Sequence, residues 1–123
     1  MAGSAIEVWV KSASGLIGPD LLDVPDPYCR VYLDDKQIMK TKHKKNDKSP
    51  VWNEKTGVTL TGERQKVRFE VMDKDTLSRD DFVGEAVLEM EEIESSGTVD
   101  RSLPLIRKGK QVGVIFIAVN FLQ

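Results

Sequence analysis

Residues 67–86, VRFEVMDKDTLSRDDFVGEA, restrict the chain more than any other stretch. Val67, Phe69 and Val71 alternate with Arg68, Glu70 and Met72, the two-residue period of a strand with one buried face. The strand runs into Asp73, Asp75, Asp80 and Asp81, after which FVGEAVLEM resumes strand composition. Carboxylates gathered on one loop repel one another; unit charges about 4 Å apart near a protein surface interact by roughly 4 kcal/mol. Such a loop is either an ordinary solvated turn, for which Asp and Ser are good formers, or a site for a neutralising cation. Oxygen donors with no His or Cys among them suit a hard ion, calcium or magnesium, rather than zinc. The helix–loop–helix calcium motif does not fit, because its third alternate position is Leu77 and the next is Ser78. A calcium site here needs a second segment to complete it.

The same alternation recurs along the chain. IEVWVK, 6–11, places Ile6, Val8 and Val10 on a core face, and YCRVYL, 28–33, does so with Cys29, Val31 and Leu33. VWNEKTGVTL, 51–60, and QVGVIFIAVNFL, 111–122, also read as strands. KQIMKTKHKK, 36–45, is a polar, basic strand on which Lys40, Lys42 and Lys44 share a face. Pro104 makes RSLPLI, 101–106, an edge or irregular strand. EEIESSG is a short turn or a single helical turn. Asp34-Asp35 reads as a hairpin turn and 46–50 as another. The expected fold is all-β: one domain over 1–123, with its core at about 5–122, forming an eight-stranded antiparallel β-sandwich. Loops at one end of a sandwich cluster. The loop at 12–27, which carries Asp20, Asp23 and Asp26, therefore meets the loop at 73–81 in one acidic mouth.

Composition excludes more than it assigns. A net charge of -2 singles out no partner, and one cysteine, Cys29, rules out an internal disulfide. The start, MAGSAIEVWVKSASGL, lacks a basic leader with an apolar run, and no stretch approaches the roughly 20 apolar residues of a membrane span. A cytoplasmic protein with peripheral membrane contact is the expectation. His43 lies in the lysine run with no acidic orienter or nucleophile in view, and no phosphate-cradling glycine loop or nucleophile elbow is present. No enzyme is expected. Trp9 and Trp52 read as packing residues.

A series of motifs, taken in order, resembles the C2 domain, the calcium-dependent phospholipid-binding β-sandwich. The series is Gly15-Leu16, Asp20, Asp26-Pro27-Tyr28, Ser49-Pro50-Val51-Trp52-Asn53-Glu54, Asp73-x-Asp75, Asp81-Phe82-Val83-Gly84 and a closing strand from Gly113 to Phe121. With a single strand before the first acidic loop, the order resembles the family's second topology, and the chain is similar to small stand-alone plant elicitor-responsive C2 proteins. The resemblance implies two or more calcium ions held by Asp20, Asp26, Asp73, Asp75 and Asp81. The main-chain carbonyls of Pro19 and Lys74 and the hydroxyl of Ser78 are further candidates. Asp23 and Asp80 fall outside that pattern and read as solvated charges. It implies as partner an anionic phospholipid surface, the plasma membrane foremost. At the loop tips Leu77 is expected to dip into the headgroups and Arg79 to meet phosphate, while the pair Leu21-Leu22 either joins Leu77 there or folds back onto the core. Lys40 and Lys42, with Tyr28 nearby, match the family's lysine-rich patch for phosphoinositides. Two other readings of that run stand beside this one: lysines protecting an edge strand from aggregation, and a calcium-independent surface for a protein or RNA. Val24-Pro25 and Ser49 depart from the family pattern and bear on the shape of the first and second loops.

Overall fold

The computed structural model describes residues 4–19, 23–61 and 65–122. Among these residues eight strands form: β1 (Ala5–Ser14), β2 (Pro27–Leu33), β3 (Lys36–Lys40), β4 (Val51–Thr59), β5 (Lys66–Asp73), β6 (Asp81–Glu89), β7 (Thr98–Arg107) and β8 (Lys110–Leu122). One helix, α1 (Met90–Ser96), links β6 to β7. All pairings are antiparallel, in the order β3-β2-β5-β6-β7-β8-β1-β4. β6 and β7 share a single pair, Glu85–Ile106. That seam divides the strands into two four-stranded layers, which close over one core as a sandwich.

The alternating residues explain the closure. Ile6, Val8, Val10, Cys29, Val31, Val67, Phe69 and Val71 are all fully buried, as are Ile115, Ile117 and Val119 of β8. Each Val, Ile or Phe so buried contributes about 1.5–3 kcal/mol of transfer free energy. Trp52 is buried and its Nε1 donates to the Pro27 carbonyl at 3.1 Å, tying β4 to the start of β2. Trp9 is only half-buried; Lys11 and Lys55 each place an ammonium 4.5 Å from its ring centroid. The layers approach so closely at Gly84 that a Cβ there would stand 2.6 Å from Val112 Cγ2.

Two local expectations gain a physical reason, and one is corrected. β7 behaves as an edge along most of its length because β6 leaves it after Glu85–Ile106, and its register shifts just past Pro104. α1 buries Met90 and Ile93 and stops at Gly97, whose φ of 79° is the left-handed cap that glycine adopts most easily. The basic strand does not run to 45; it stops at Lys40. Thr41 is buried, and while its N–H donates to the Cys29 carbonyl, its own hydroxyl accepts from Cys29 N–H at 2.9 Å. The side chain thus takes the place of the next ladder carbonyl, and Lys42 and Lys44 leave the strand.

Antiparallel alternation brings the end of β1 and the start of β2 to one end of the sandwich, together with the connections 41–50 and 74–80 and the tight 108–109 hairpin. Pro27 and Asp81 both pair with Asp73, so the first and third loops spring from adjacent strands.

Candidate functional site

The acidic mouth forms where the first and third loops touch. Asp26 N–H donates to Asp73 Oδ1 at 2.8 Å, and Lys74 N–H returns a bond to the Asp26 carbonyl at 3.0 Å. Asn46, from the second loop, donates its N–H to Asp26 Oδ1 at 2.8 Å. Asp23, Asp26, Asp73, Asp75 and Asp81 line one hollow of about 440 Å³, with Val24, Asn46, Lys74 and Thr76. Burial pushes the Asp73 carboxyl above its ordinary range; the Asp26 N–H opposes this, while the charges of Asp26, Asp81 and Asp75 add to it. Asp75 is held below the ordinary range by the Leu77 N–H and the Ser78 hydroxyl, both at 2.8 Å. The donors are all oxygen, which fits a hard divalent ion. Among the described residues no three acidic, His or Cys side chains converge closely enough to ligate one ion as they stand. The fit is therefore one of donor chemistry and charge. Asp20 lies outside the described residues, as do Leu21 and Leu22.

Beside the mouth lies a second hollow, of about 370 Å³, lined by Tyr28, Lys40, Thr41, Lys42, His43 and Lys74. The expected trio of Tyr28, Lys40 and Lys42 is thus brought together even though the strand stops at Lys40. The Thr41 turn re-aims Lys42, whose N–H donates to Glu54 Oε2 at 2.9 Å. Lys40 Nζ lies 5.1 Å from the Tyr28 ring centroid. The Tyr28 hydroxyl donates to Asp80 Oδ2; burial first, and that bond second, push it up to about 12.

Asp80 corrects the reading of a solvated charge. Its Oδ1 accepts the Asp75 N–H at 2.9 Å while Oδ2 holds Tyr28. Burial pushes its carboxyl up, but the Asp75 N–H, the Tyr28 hydroxyl and the charges of Lys74 and Lys40 together hold it below the ordinary range.

A sequence profile of the C2 domain matches residues 4–105. The chain belongs to the C2 domain family. This C2 domain is 30% identical over 122 residues to tricalbin-1 of Saccharomyces cerevisiae, covering 94% of this chain and 10% of tricalbin-1. It is 35% identical over 105 residues to elicitor-responsive protein 1 of Oryza sativa subsp. japonica, covering 79% of this chain and 66% of the rice protein. Its fold superposes on the C2A and C2B domains of extended synaptotagmin 2, calcium bound, with a TM-score of 0.86 at 22% identity, covering 100% of this chain and 47% of that one. The C2 fold is a binding module rather than a catalyst, and C2 domains are membrane-binding modules. Among the described residues no helix is long and apolar enough to cross a membrane.

The remaining candidates sit at the same end of this C2 domain. Leu77 is 95% exposed, and Arg79, Ser78 and Pro19 are also exposed. Sequence reasoning missed Ile17 and Val24, exposed apolar residues of the first loop, and His43 and Thr41 in the basic cavity. It also missed Arg107. Nη1 of that residue donates to the carbonyls of Ile17 (2.9 Å) and Val83 (2.8 Å), and Nη2 to Gly18 (3.3 Å), anchoring the first loop to β6. A lone arginine in a basic hairpin carries no sequence signal for that role.

Proposed function

We propose that this C2 domain binds anionic phospholipid membranes in response to calcium, as a peripheral module recruited reversibly from the cytoplasm to the plasma membrane. The observation that carries the reading is the joining of two loops through Asp26 and Asp73 in a hollow lined by like charges with Asp73 pushed up. Asp20, Asp26, Asp73, Asp75 and Asp81 would hold two or more calcium ions, with the carbonyls of Pro19 and Lys74 and the hydroxyl of Ser78 as supplementary donors. Bound calcium supplies positive charge and open coordination positions to a phosphate or carboxylate headgroup. The chain's own residues do the rest. Leu77, Ile17 and Val24 stand exposed at the tip and enter the headgroup region; full burial of a leucine side chain is worth about 1.5–3 kcal/mol. Arg79 meets phosphate, and Tyr28, Lys40 and Lys42 receive a phosphoinositide headgroup in the basic cavity. Because the lipid headgroup completes the coordination of the ions, each raises the affinity of the other.

A second reading rests on the basic cavity alone: an anion-binding surface for protein or RNA that needs no calcium. Vesicle sedimentation separates the two. Phosphatidylserine vesicles are expected to carry down the wild type with calcium but not with chelator, and Asp73→Asn in neither condition. Equal sedimentation with and without calcium, lost in Lys40→Ala/Lys42→Ala, would replace the first reading with the second.

A further inference from the structure

Asp80 stands where the two hollows meet. One of its oxygens accepts from Asp75 of the acidic mouth, and the other from Tyr28 in the wall of the basic cavity. Lys74 lines both hollows. A phosphate group entering the basic cavity meets the ammonium groups of Lys40, Lys42 and Lys74. The Tyr28 hydroxyl in its wall is already donated to the Asp80 carboxylate, whose fixed negative charge stands next to the cavity. A fixed like charge beside the cavity weakens the binding of an anion there. Positive charge arriving on the Asp75 side offsets it.

We propose that Asp80 is a built-in counter-charge that keeps the basic cavity weak for phosphomonoester headgroups until cations fill the acidic mouth. The inference rests on the two-site reading above and gives it a regulatory residue. Asp80 is not expected to bind the ion; it makes the lysine cavity answer to the ion. Removing its charge should therefore do what loss of a ligand never does: strengthen anion binding when calcium is absent.

Calorimetric titration with inositol 1,4,5-trisphosphate in chelator tests this without calcium or membrane, so the outcome does not depend on whether the calcium reading holds. Asp80→Asn is expected to bind the headgroup about fivefold or more tighter than wild type, the lower edge of ordinary coupling between sites. Asp80→Glu, which keeps the charge, is expected to match wild type. The calcium-to-chelator affinity ratio should shrink in Asp80→Asn. Adding Lys42→Ala should remove the gain. Vesicles carrying the corresponding phosphoinositide form the second arm, and the gain should appear there too. Unchanged or weaker headgroup binding by Asp80→Asn in chelator overturns the proposal. So does a gain that survives Lys42→Ala, or a gain seen only with vesicles, since the charge would then act on membrane approach rather than on the cavity. If Asp80→Asn loses the β-sheet circular dichroism of the wild type, Asp80→Ser carries the same test with the same expectations. Failure of the calcium reading shows separately, as wild-type vesicle binding that ignores calcium.

Discussion

The acidic mouth and the basic cavity adjoin and share Lys74, yet they are held in opposite ways. In the mouth Asp26, Asp73 and Asp75 each accept a main-chain N–H, and Asp80 behind them does the same. Their positions are set by the loops themselves. In the cavity Lys40 and Lys42 are exposed on flexible stems, and among the described residues neither joins an ion pair. A carboxylate set fixed by backbone suits a small ion with strict oxygen distances. Ammonium groups on mobile stems suit phosphates that arrive in varied poses. The difference is one between a site built by loop geometry and a site built by charge density, and the two should therefore fail differently.

The largest effect expected is one that abolishes both together. Phe69 is fully buried at the centre of β5, the strand that leads into the third loop and pairs with β2 beneath the cavity. Phe69→Ala should cost about 3–5 kcal/mol, read as a shift of the urea midpoint with the slope unchanged. A variant that unfolds one hollow and leaves the other binding would show that the two do not share a core. Gly84→Ala comes next. Its new methyl meets Val112 Cγ2 and, at 3.3 Å, Leu105 Cβ, so overpacking of about 1–3 kcal/mol is expected. The strain falls where β6 carries Asp81 into the mouth. Calcium affinity, measured by calorimetry, should therefore fall more than chelator-state affinity for inositol trisphosphate. Equal losses would show that the two hollows do not fail differently.

How much of this was legible follows from range along the chain. Period-two alternation is local, so Ile6, Val8 and Val10 and Val67, Phe69 and Val71 declared their buried face directly. Motif order led to the third-loop aspartates for the same reason. What the chain hid are bonds made over distance by groups with several possible partners. Nothing in D-D at 80–81 tells which carboxylate turns inward to a tyrosine 52 positions earlier. Nothing in T-K-H-K at 41–44 says that a threonine hydroxyl will replace a ladder carbonyl and end the strand. Arg107 looks in sequence like one more surface cation, yet it spans 90 positions to hold Ile17. Asp23, outside the motif's ligand pattern, lines the 440 Å³ mouth beside the aspartates within it, because a loop's path and not its motif decides which side chains face inward.

A smaller effect separates two aspartates within the acidic region. Asp73 has its folded pKa raised, so the folded state holds more proton than the unfolded one, and stability falls as pH rises from the ordinary aspartate value of about 3.9 through the raised one. Asp80 has its folded pKa lowered. Its contribution is present above the ordinary value and is lost as pH falls through the depressed one. In chelator at neutral pH, Asp73→Asn is expected to raise the melting temperature and Asp80→Asn to lower it. Melts followed by circular dichroism from acid to neutral pH check both signs. A drop for Asp73→Asn would mean that its bond from Asp26 outweighs the like charges around it.

The smallest change in stability should accompany a large change in binding. Leu77 is 95% exposed and only its N–H is engaged, by Asp75. A substitution there touches no core, so Leu77→Ser should leave the melting temperature within the range of an ordinary surface change, about 0.5 kcal/mol either way. Vesicle affinity in calcium should fall about tenfold or more, since burial of a leucine is worth about 1.5–3 kcal/mol and each 1.4 kcal/mol is a factor of ten. The free headgroup has no apolar phase to offer, so affinity for soluble inositol trisphosphate should not move. That pairing isolates the tip from both hollows. If vesicle binding in Leu77→Ser is unchanged, the mouth and the cavity carry the membrane contact alone; if headgroup binding falls as well, Leu77 orders the third loop rather than entering the lipid.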